Sequence, residues 1–460
     1  MNENKSTGPN TETATVFEYK KLELRPSWNP EAKLDLRDIT MDVDIFEHID
    51  KPWLTGVLSF QDTSNLLSGV GVSTGDRVEI EIGRVEEPKV TFIHKYFRVD
   101  KIIEKVREGQ NENTQVVILH LVEEIWYESN AINVNKSYEG KPYAIIKNIL
   151  ESYIKDRSIT GPPFDVQEMK VIVPNMTPLE AACWVKNRAT NNEGFPIFLF
   201  STVSRANGGG PDHLIFLDLE TMLNQKPWTE GAGGIPFNNF QSTQHEESIA
   251  QRRTIKKFEQ KSANDFQQLI QKGLFGALHQ YIDVTDLQVH KIDYDHEVDI
   301  NQRVKDKGVS GEPLVMDHYA VHDMPLNKIK SHKDTKVGNR LITQIGGTSA
   351  YDLPTINEST KSSFYKHVSV SRAIKTLLAY DPIIAVVDGH DFTYNTLNTV
   401  GTLHTFMFKS AQPDPETFKD SIDRMLTGNY LIYAAKHSFK KEGYDVTLTA
   451  TKLTHRAYHK

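Results

Sequence analysis

Two histidines four residues apart are the pair in this sequence that most resembles a metal site. His318 and His322 would share one face of a helix, and Asp317 and Asp323 lie beside them. A zinc metalloprotease helix needs a glutamate directly after its first histidine, because that carboxylate acts as the general base. Tyr319 stands at that position. Ordinary surface histidines are therefore the favoured interpretation, and no metal site is predicted.

The other candidates for nucleophilic or acid–base chemistry lack supporting residues. His390 and Asp391 follow a predicted strand, but the Asp-Gly pair before them is sufficient to explain a turn. Cys183 has no identifiable base, so a buried core cysteine is expected. Asp414 and Glu416 are the closest-spaced carboxylates in a loop, yet the prolines beside them indicate a rigid loop rather than a glycosidase site.

A glycine-rich stretch also falls short of a ligand-binding motif. Gly69, Gly71 and Gly75 lead directly into the alternating strand Val78–Ile82. A phosphate-binding loop needs a Gly-Lys-Ser/Thr sequence followed by a helix. With no catalytic, cofactor or metal site in view, the sequence predicts a chain that is not an enzyme and has no cofactor.

Composition excludes further classes. The 460 residues include 53 basic and 61 acidic side chains, for a formal net charge of −8. Stable nucleic-acid binding usually needs a basic excess or a basic stripe, and neither is present. The single cysteine allows no intramolecular disulfide. The longest apolar runs are strand-sized, so no membrane insertion is predicted, and the polar first residues lack the apolar core of a signal peptide.

The pattern of apolar residues divides the chain into β-rich and mixed regions. Residues 1–15 form a polar N-terminal tail, and residues 16–135 are mostly β, with strands predicted at Val78–Ile82, Tyr96–Val106 and Gln115–Glu123 around a hairpin loop at 109–113. Residues 136–245 indicate an α+β accessory domain. One of its helices opens at Thr177 with a capping box to Glu180.

The last part of the chain is predominantly β again. Residues 246–275 and 365–460 are assigned to a second β-barrel, and residues 276–364 to an accessory domain inserted within it. A helical stripe from Val370 to Leu378 stops before Pro382. Strands are predicted at 383–387, 404–408, 430–435 and 446–450, the last with clean alternation between apolar residues and threonines.

The two β regions repeat one pattern. Gly75 is followed by Val78, Ile80 and Ile82, and Gly401 is followed at the same offsets by His404, Phe406 and Phe408. An aromatic strand, a polar hairpin and an alternating strand come next in both regions. Because these elements recur in one order, two copies of one barrel are favoured.

Three short segments carry a family resemblance: Gly428–Tyr433, Lys436–Phe439 and Tyr444–Leu448. They resemble the C-terminal barrel of baseplate hub proteins from contractile-tailed phages, the T-even-like hub family. Segments 178–187 and 273–277 are also similar to hub segments. The resemblance implies an α+β, mainly β fold, with two related tube-type β-barrel domains plus α+β accessory domains.

The resemblance also implies a function and partners. Three copies, each with two barrels, would form a homotrimer that joins the six-fold tail tube to the three-fold central spike. The implied partners are the central spike protein below, the tail tube protein or a tube initiator above, and baseplate wedge proteins, with transient passage of DNA and the tape measure protein. The implied location is the virion tail baseplate, after assembly in the host cytoplasm.

A tube that passes DNA without holding it should have a polar wall that is not basic. Alternation sends Glu79 and Glu81 away from Val78, Ile80 and Ile82. It likewise sends three threonines away from the core side of the last strand. The hypothesis is that the channel-facing candidates are Glu79, Glu81, Thr447, Thr449 and Thr451. Bulk solvent outside the ring is the alternative for these side chains.

Two other functions remain open from the sequence. A tail-associated cell-wall hydrolase predicts a cleft with perturbed carboxylates or histidines. A receptor- or glycan-binding tail protein predicts exposed aromatic residues on loops at one distal end.

Overall fold

The computed structural model of the chain describes most of residues 17–452. The described residues are 17–63, 69–85, 90–107, 115–154, 158–161, 168–204, 213–228, 236–239, 253–260, 266–274, 276–283, 288–295, 299, 341–345, 358–379, 382–393, 398–410, 422–423 and 426–452. The N-terminal tail, the hairpin loop at 109–113, the His318 and His322 pair, and the carboxylates Asp414 and Glu416 lie outside these ranges.

Alternation of apolar and polar residues gives the first β region its strands. Val78, Ile80 and Ile82 are fully buried, as the period-2 pattern predicts. The elements are β1 (Phe17–Arg25), β2 (Leu34–Asp35), β3 (Thr40–His48), β4 (Thr55–Asp62), β5 (Arg77–Arg84), β6 (Thr91–Arg107), β7 (Gln115–Glu123) and helix α1 (Glu124–Asn130).

The middle region mixes short strands with helices whose ends follow local signals. The predicted capping box is confirmed: the Glu180 amide donates to the Thr177 hydroxyl, and the Glu180 carboxylate accepts from the Thr177 amide. The elements are β8 (Ser137–Gly140), α2 (Pro142–Tyr153), β9 (Ser158–Thr160), β10 (Met169–Ile172), α3 (Pro178–Lys186), β11 (Ile197–Ser201), β12 (His213–Asp218) and α4 (Leu219–Leu223).

The remaining elements build the second β region and a small separate sheet. They are β13 (Phe237–Asn238), β14 (Lys257–Gln260), α5 (Phe266–Gln271), β15 (Gly276–Asp283), β16 (Gln288–Asp295), β17 (Leu341–Ile345), α6 (Glu358–Leu378), β18 (Ile383–Asp388), β19 (Leu403–Met407), β20 (Gly428–Lys440) and β21 (Gly443–Thr451). The order β16-β15-β17 forms the small sheet. Helix α6 starts earlier than its apolar stripe predicts, and Tyr365 near its start stacks on Tyr281 of β15 at 4.4 Å between ring centroids.

One 13-stranded sheet, largely antiparallel, contains both β regions, and this corrects the expectation of two closed barrels. Its main order is β14-β18-β21-β20-β3-β4-β7-β6-β5-β1-β2, and β19 and β13 extend from β20. No pairing between described strands closes either region into a barrel. The two regions instead merge where β20 pairs antiparallel with β3. Alternation fixes which face of a strand is buried, but it does not fix which strand edges pair.

The two β regions have the same strand order. The first is β3-β4-β7-β6-β5-β1, and the second is β14-β18-β21-β20-β19-β13. The pairing is antiparallel in each equivalent pair except the last, because β13 and β19 are parallel over two residues. The long strands β6 and β20 each carry a bulge at the corresponding point, Val99/Lys101 and Ile432/Ala434.

The glycine turns before β5 and β19 also correspond. Gly75 has a φ of 89° and donates its amide hydrogen to the Val99 carbonyl at 2.7 Å. Gly401 has a φ of 77° and donates to the Ile432 carbonyl at 2.8 Å. These left-handed turns favour glycine. They fix the start of each strand against the equivalent point of the neighbouring long strand.

A shared apolar core lies behind the sheet. Phe17 of β1 contacts Phe439 of β20 with ring centroids 5.1 Å apart, and Phe92 of β6 stacks on Tyr444 of β21 at 6.0 Å. A second cluster fills the middle region between α2, α3, β11 and β12. No helix among the described residues combines the length and apolar character needed to span a bilayer.

Candidate functional site

A single row of paired residues links the candidate residues of the two β regions. Residues directly opposite each other in a sheet project from the same face. The row runs through Thr447, Lys436, Phe46, Thr55, Val122, Arg98 and Arg77. Because Glu79 and Glu81 follow Arg77 by two and four positions in β5, they lie on the same sheet face as Thr447 and Thr449. This face is called the polar face below.

Glu79 is enclosed by cations of the same chain. It is 5% exposed, and its carboxylate accepts from Lys21 at 2.9 Å and Arg25 at 3.2 Å, with His94 at 3.1 Å. Burial acts to raise the pKa of Glu79, but the hydrogen bonds from Lys21 and His94 outweigh it, so the pKa lies below its usual value. Glu79 is therefore an acidic group whose charge is compensated by its neighbours. Neighbouring strands β1 and β6 supply its partners.

Glu81 and the threonines are less enclosed, with one exception. Glu81 is half-buried and accepts a hydrogen bond from the Thr91 hydroxyl at 2.8 Å. Thr447 and Thr449 are half-buried, whereas Thr451 at the strand end is buried. Only the first three therefore offer side-chain surface on the polar face of the free chain.

Charges of both signs occupy the polar face where the two β regions meet. The Lys436 ammonium lies 2.8 Å from the Asp44 carboxylate, which also accepts from the Ser438 hydroxyl at 2.7 Å. Burial, followed by the nearby Asp44 charge, raises the pKa of Asp42. The meeting point is thus polar and internally compensated, and it is not basic.

The opposite face of the same joint contains a buried polar cluster that the sequence analysis missed. His437 is fully buried, with Nε2 2.6 Å from the Glu47 carboxylate and Nδ1 2.7 Å from the Tyr444 hydroxyl. Burial, followed by the Glu47 charge, raises the pKa of Tyr444 well above its usual value. Strand alternation was the available signal, because His437 stands between Ala435 and Phe439 on the apolar side of β20.

The residues considered for catalysis have structural surroundings where they are described. Asp391 accepts from the Arg253 guanidinium at 2.8 Å inside the protein, and the His390 amide donates to Asp388. Cys183 is half-buried rather than fully buried as expected. Burial raises the pKa of its thiol, which disfavours the reactive thiolate. No group of three or more possible metal ligands occurs in the described part of the chain.

Among the described residues, a serine–lysine contact resembles catalytic chemistry. The Ser201 hydroxyl lies 3.4 Å from the Lys95 ammonium and donates to the Glu123 carboxylate at 3.1 Å. Lys95 pairs with Glu123 at 3.1 Å, and all three side chains are buried. A serine nucleophile needs a base that can accept its proton and access to a substrate. The contact therefore supports packing of β11 against β6 and β7.

Two tail proteins of known structure share this fold. A tail protein from Neisseria meningitidis MC58 aligns with a TM-score of 0.50 and 9% identity, covering 95% of this chain and 96% of its own. A 43 kDa tail protein of prophage MuSo2 from Shewanella oneidensis aligns with a TM-score of 0.50 and 9% identity, covering 94% and 98%. No protein-family model and no curated protein sequence matches the chain. The chain thus has a tail-protein fold along nearly its whole length.

Proposed function

We propose that this chain is a structural subunit of a phage-like contractile tail, namely the baseplate hub between the tail tube and the central spike. The single observation that carries the proposal is the repeated strand order of the two β regions within a tail-protein fold. A chain with two equivalent β regions can meet a six-fold tube above while three copies match a three-fold spike below.

The internal joint gives this proposal a physical basis. Strand β20 of the second region pairs with β3 of the first over Ala434–Lys440, and a common core lies behind them. The two regions therefore form one continuous sheet and are not separate domains joined by a linker. Three such pieces supply six equivalent β regions around an axis. This related pair corresponds to the two tube-type domains implied by the resemblance.

The polar face is assigned to the channel in this proposal. Its mixed charges at Asp44, Lys436, Glu79 and Lys21 are compensated within the chain, so these four side chains offer DNA phosphates no uncompensated positive charge. DNA and the tape measure protein pass along it transiently. The spike protein, the tube protein or tube initiator and the wedge proteins are the proposed neighbours, and the virion baseplate is the proposed location.

The hydrolase alternative receives less support. Among the described residues, Ser201, Cys183, His390 and Asp391 are held in structural contacts or lack an activating base. We therefore propose a non-enzymatic role. The exposed aromatic side chains of Trp28 and Tyr127 are the observation that supports the receptor-binding alternative. The fold likeness of nearly the full chain to tail proteins favours the hub over either alternative.

Oligomeric state tests the proposed function. The purified chain, alone and with its spike protein, is expected to form a homotrimer by native mass spectrometry and light scattering. Images of the assembly should show β regions in a pseudo-six-fold ring. A stable dimer or hexamer as the assembled form, or a ring without equivalent β regions, would contradict the hub assignment.

A further inference from the structure

Among the described strands, none covers one side of the long strand β6 along most of its second half. β5 pairs with β6 only over Thr91–Arg98, whereas β7 pairs with its other side as far as Arg107. After Val99, which bonds to Gly75 and Asp76 of the turn before β5, no described strand pairs with the β5 side of residues 100–107. Ile103 and Val106 on this stretch are 47% and 39% exposed. An exposed strand edge with apolar side chains is a template for pairing with another chain.

The equivalent strand of the second region has this side covered. β19 pairs with β20 over Gly428–Leu431, and β3 continues along the same side over Ala434–Lys440. The strand that covers the second half of β20 is therefore β3, which belongs to the other β region. This joint within one chain shows how a strand from another β region can pair with the second half of a long strand.

The chain also contains the counterpart of the covering strand. β14 stands in the second region where β3 stands in the first, since β14 pairs with β18 as β3 pairs with β4. Among the described strands, β14 is the last of the sheet on its side. Phe258 in this strand is 38% exposed. The two β regions are thus complementary: the first contains a long strand, β6, whose second half is uncovered on its β5 side, and the second ends in a covering-type strand, β14.

We propose that β14 of a second copy of this chain pairs antiparallel with the second half of β6, repeating between subunits the joint that β3 and β20 form within one chain. The proposal rests on the proposed homotrimer and names the surface that assembles it. Such a head-to-tail contact uses two different surfaces of each copy, so it closes a ring when the rotation between copies allows it.

The internal joint also fixes the register on the β6 side. Val99 pairs with Leu121, and Ile432 pairs with Ala450, at the matching bulges of the two long strands. We count residues from these two pairs along each hairpin and include the second β6 bulge at Ile102/Glu104. On this count, Val106 corresponds to Ser438.

The covering strands match in the same way. Gly56 pairs with Leu121 and Ile383 pairs with Ala450, which makes β4 and β18 equivalent residue by residue. Asp44 on β3 then corresponds to Glu259 on β14. In the internal joint, Ser438 lies directly opposite Asp44. The register transferred to the subunit interface therefore places Val106 opposite Glu259 of the partner subunit.

Disulfide trapping tests this register. Opposed Cα atoms in an antiparallel pair lie about 4.5–5.5 Å apart, within the range a disulfide spans. The double variant V106C/E259C is expected to lose its monomer band on oxidation and to yield covalent dimers and trimers on a non-reducing gel. V106C/K257C, shifted by two residues, is expected to retain far more monomer. The parent chain, which keeps Cys183, measures background oxidation.

A matched control uses the joint inside one chain. D44C/S438C is expected to oxidise within the monomer without raising its mass, because these residues already face each other. Oxidation of this control, with a trimer by light scattering but no intermolecular band from V106C/E259C, would overturn the edge pairing and leave the hub assignment standing. A chain that stays monomeric with its spike present would overturn the trimer itself.

Discussion

The two β regions share a strand order but fill equivalent core positions differently. Val78 of β5 pairs with Phe97 in the first region, and His404 of β19 pairs with Tyr430 at the corresponding point in the second. His404 is fully buried beside the rings of Phe237, Trp228 and Phe392. The same strand arrangement therefore accommodates an aliphatic side chain in the first region and an imidazole in the second at this position. The second region carries polar groups that make its stability depend on pH.

The joint between the regions shows a similar contrast between its two faces. Glu47 and His437 meet in the core, whereas Asp44 and Lys436 meet on the polar face of the same two strands. The first contact is sealed from water and the second is partly solvated. A buried contact that loses one partner leaves the other group unsatisfied, so the two contacts should differ in their effect on stability.

Removing the buried contact has the largest expected effect. Glu47→Ala should lower the free energy of unfolding by about 3–5 kcal/mol, because His437 loses its buried partner at Nε2. Asp44→Ala, on the same strand but the opposite face, should cost about 1 kcal/mol. Urea unfolding monitored by circular dichroism gives both values. Equal losses would show that the two faces of the joint contribute alike.

Acid sensitivity should distinguish the two β regions. Burial, followed by the Arg253 charge, lowers the pKa of His404 to about 3 from an ordinary value of 6.5. The folded state thus binds fewer protons than the unfolded state between these values. His404 therefore contributes stability that is complete above about pH 6.5 and is lost, as the pH falls towards 3, at about 1.4 kcal/mol per unit.

Substitutions at the paired core positions test this sign. His404→Val, which copies the residue of the first region, should flatten the fall in unfolding free energy between pH 6.5 and 4. Val78→His should introduce a similar fall from the first region. The remaining acid sensitivity of His404→Val should reflect other buried histidines, including His279, whose pKa burial lowers to about 4. An unchanged pH profile for His404→Val would contradict the assignment.

The contrast between the two β regions also marks how far sequence reasoning reached. Alternation correctly placed β7 at Gln115–Glu123 and the apolar side of β5, and the capping box at Thr177 placed the start of α3. These features depend on neighbours within a few residues. The matching offsets after Gly75 and Gly401 were also visible, since they too are local patterns.

Long-range pairing could not be predicted in the same way. The merging of the sheets depends on β20 meeting β3, almost four hundred residues earlier in the chain. The partners of Glu79 come from β1 and β6, so its ion pairs were not visible from β5 alone. His437 stood on an apolar strand face, but only the fold brings Glu47 to it. Alternation specifies faces, and tertiary packing specifies partners.

The smallest expected effect on stability belongs to the polar face, where the consequence should appear in DNA passage. Glu79 is unsuitable for a charge reversal, because a lysine there would face Lys21 and Arg25 and disturb the fold. Glu81→Lys in the first region and Thr449→Lys in the second are better matched, since both side chains are half-buried on the polar face. Each should change the unfolding free energy by about 1 kcal/mol or less.

If the polar face lines the channel, both variants should slow DNA ejection from assembled particles, because an added cation attracts passing phosphates. Glu139→Lys, in the middle region, makes the same charge change as Glu81→Lys away from the polar face and should eject DNA at the parental rate. Slower ejection by only one of the two polar-face variants would mean that only that β region reaches the channel. Parental ejection by both, with normal assembly, would place the polar face outside the ring. The two β regions would then share a strand order, and neither would line a passage for DNA.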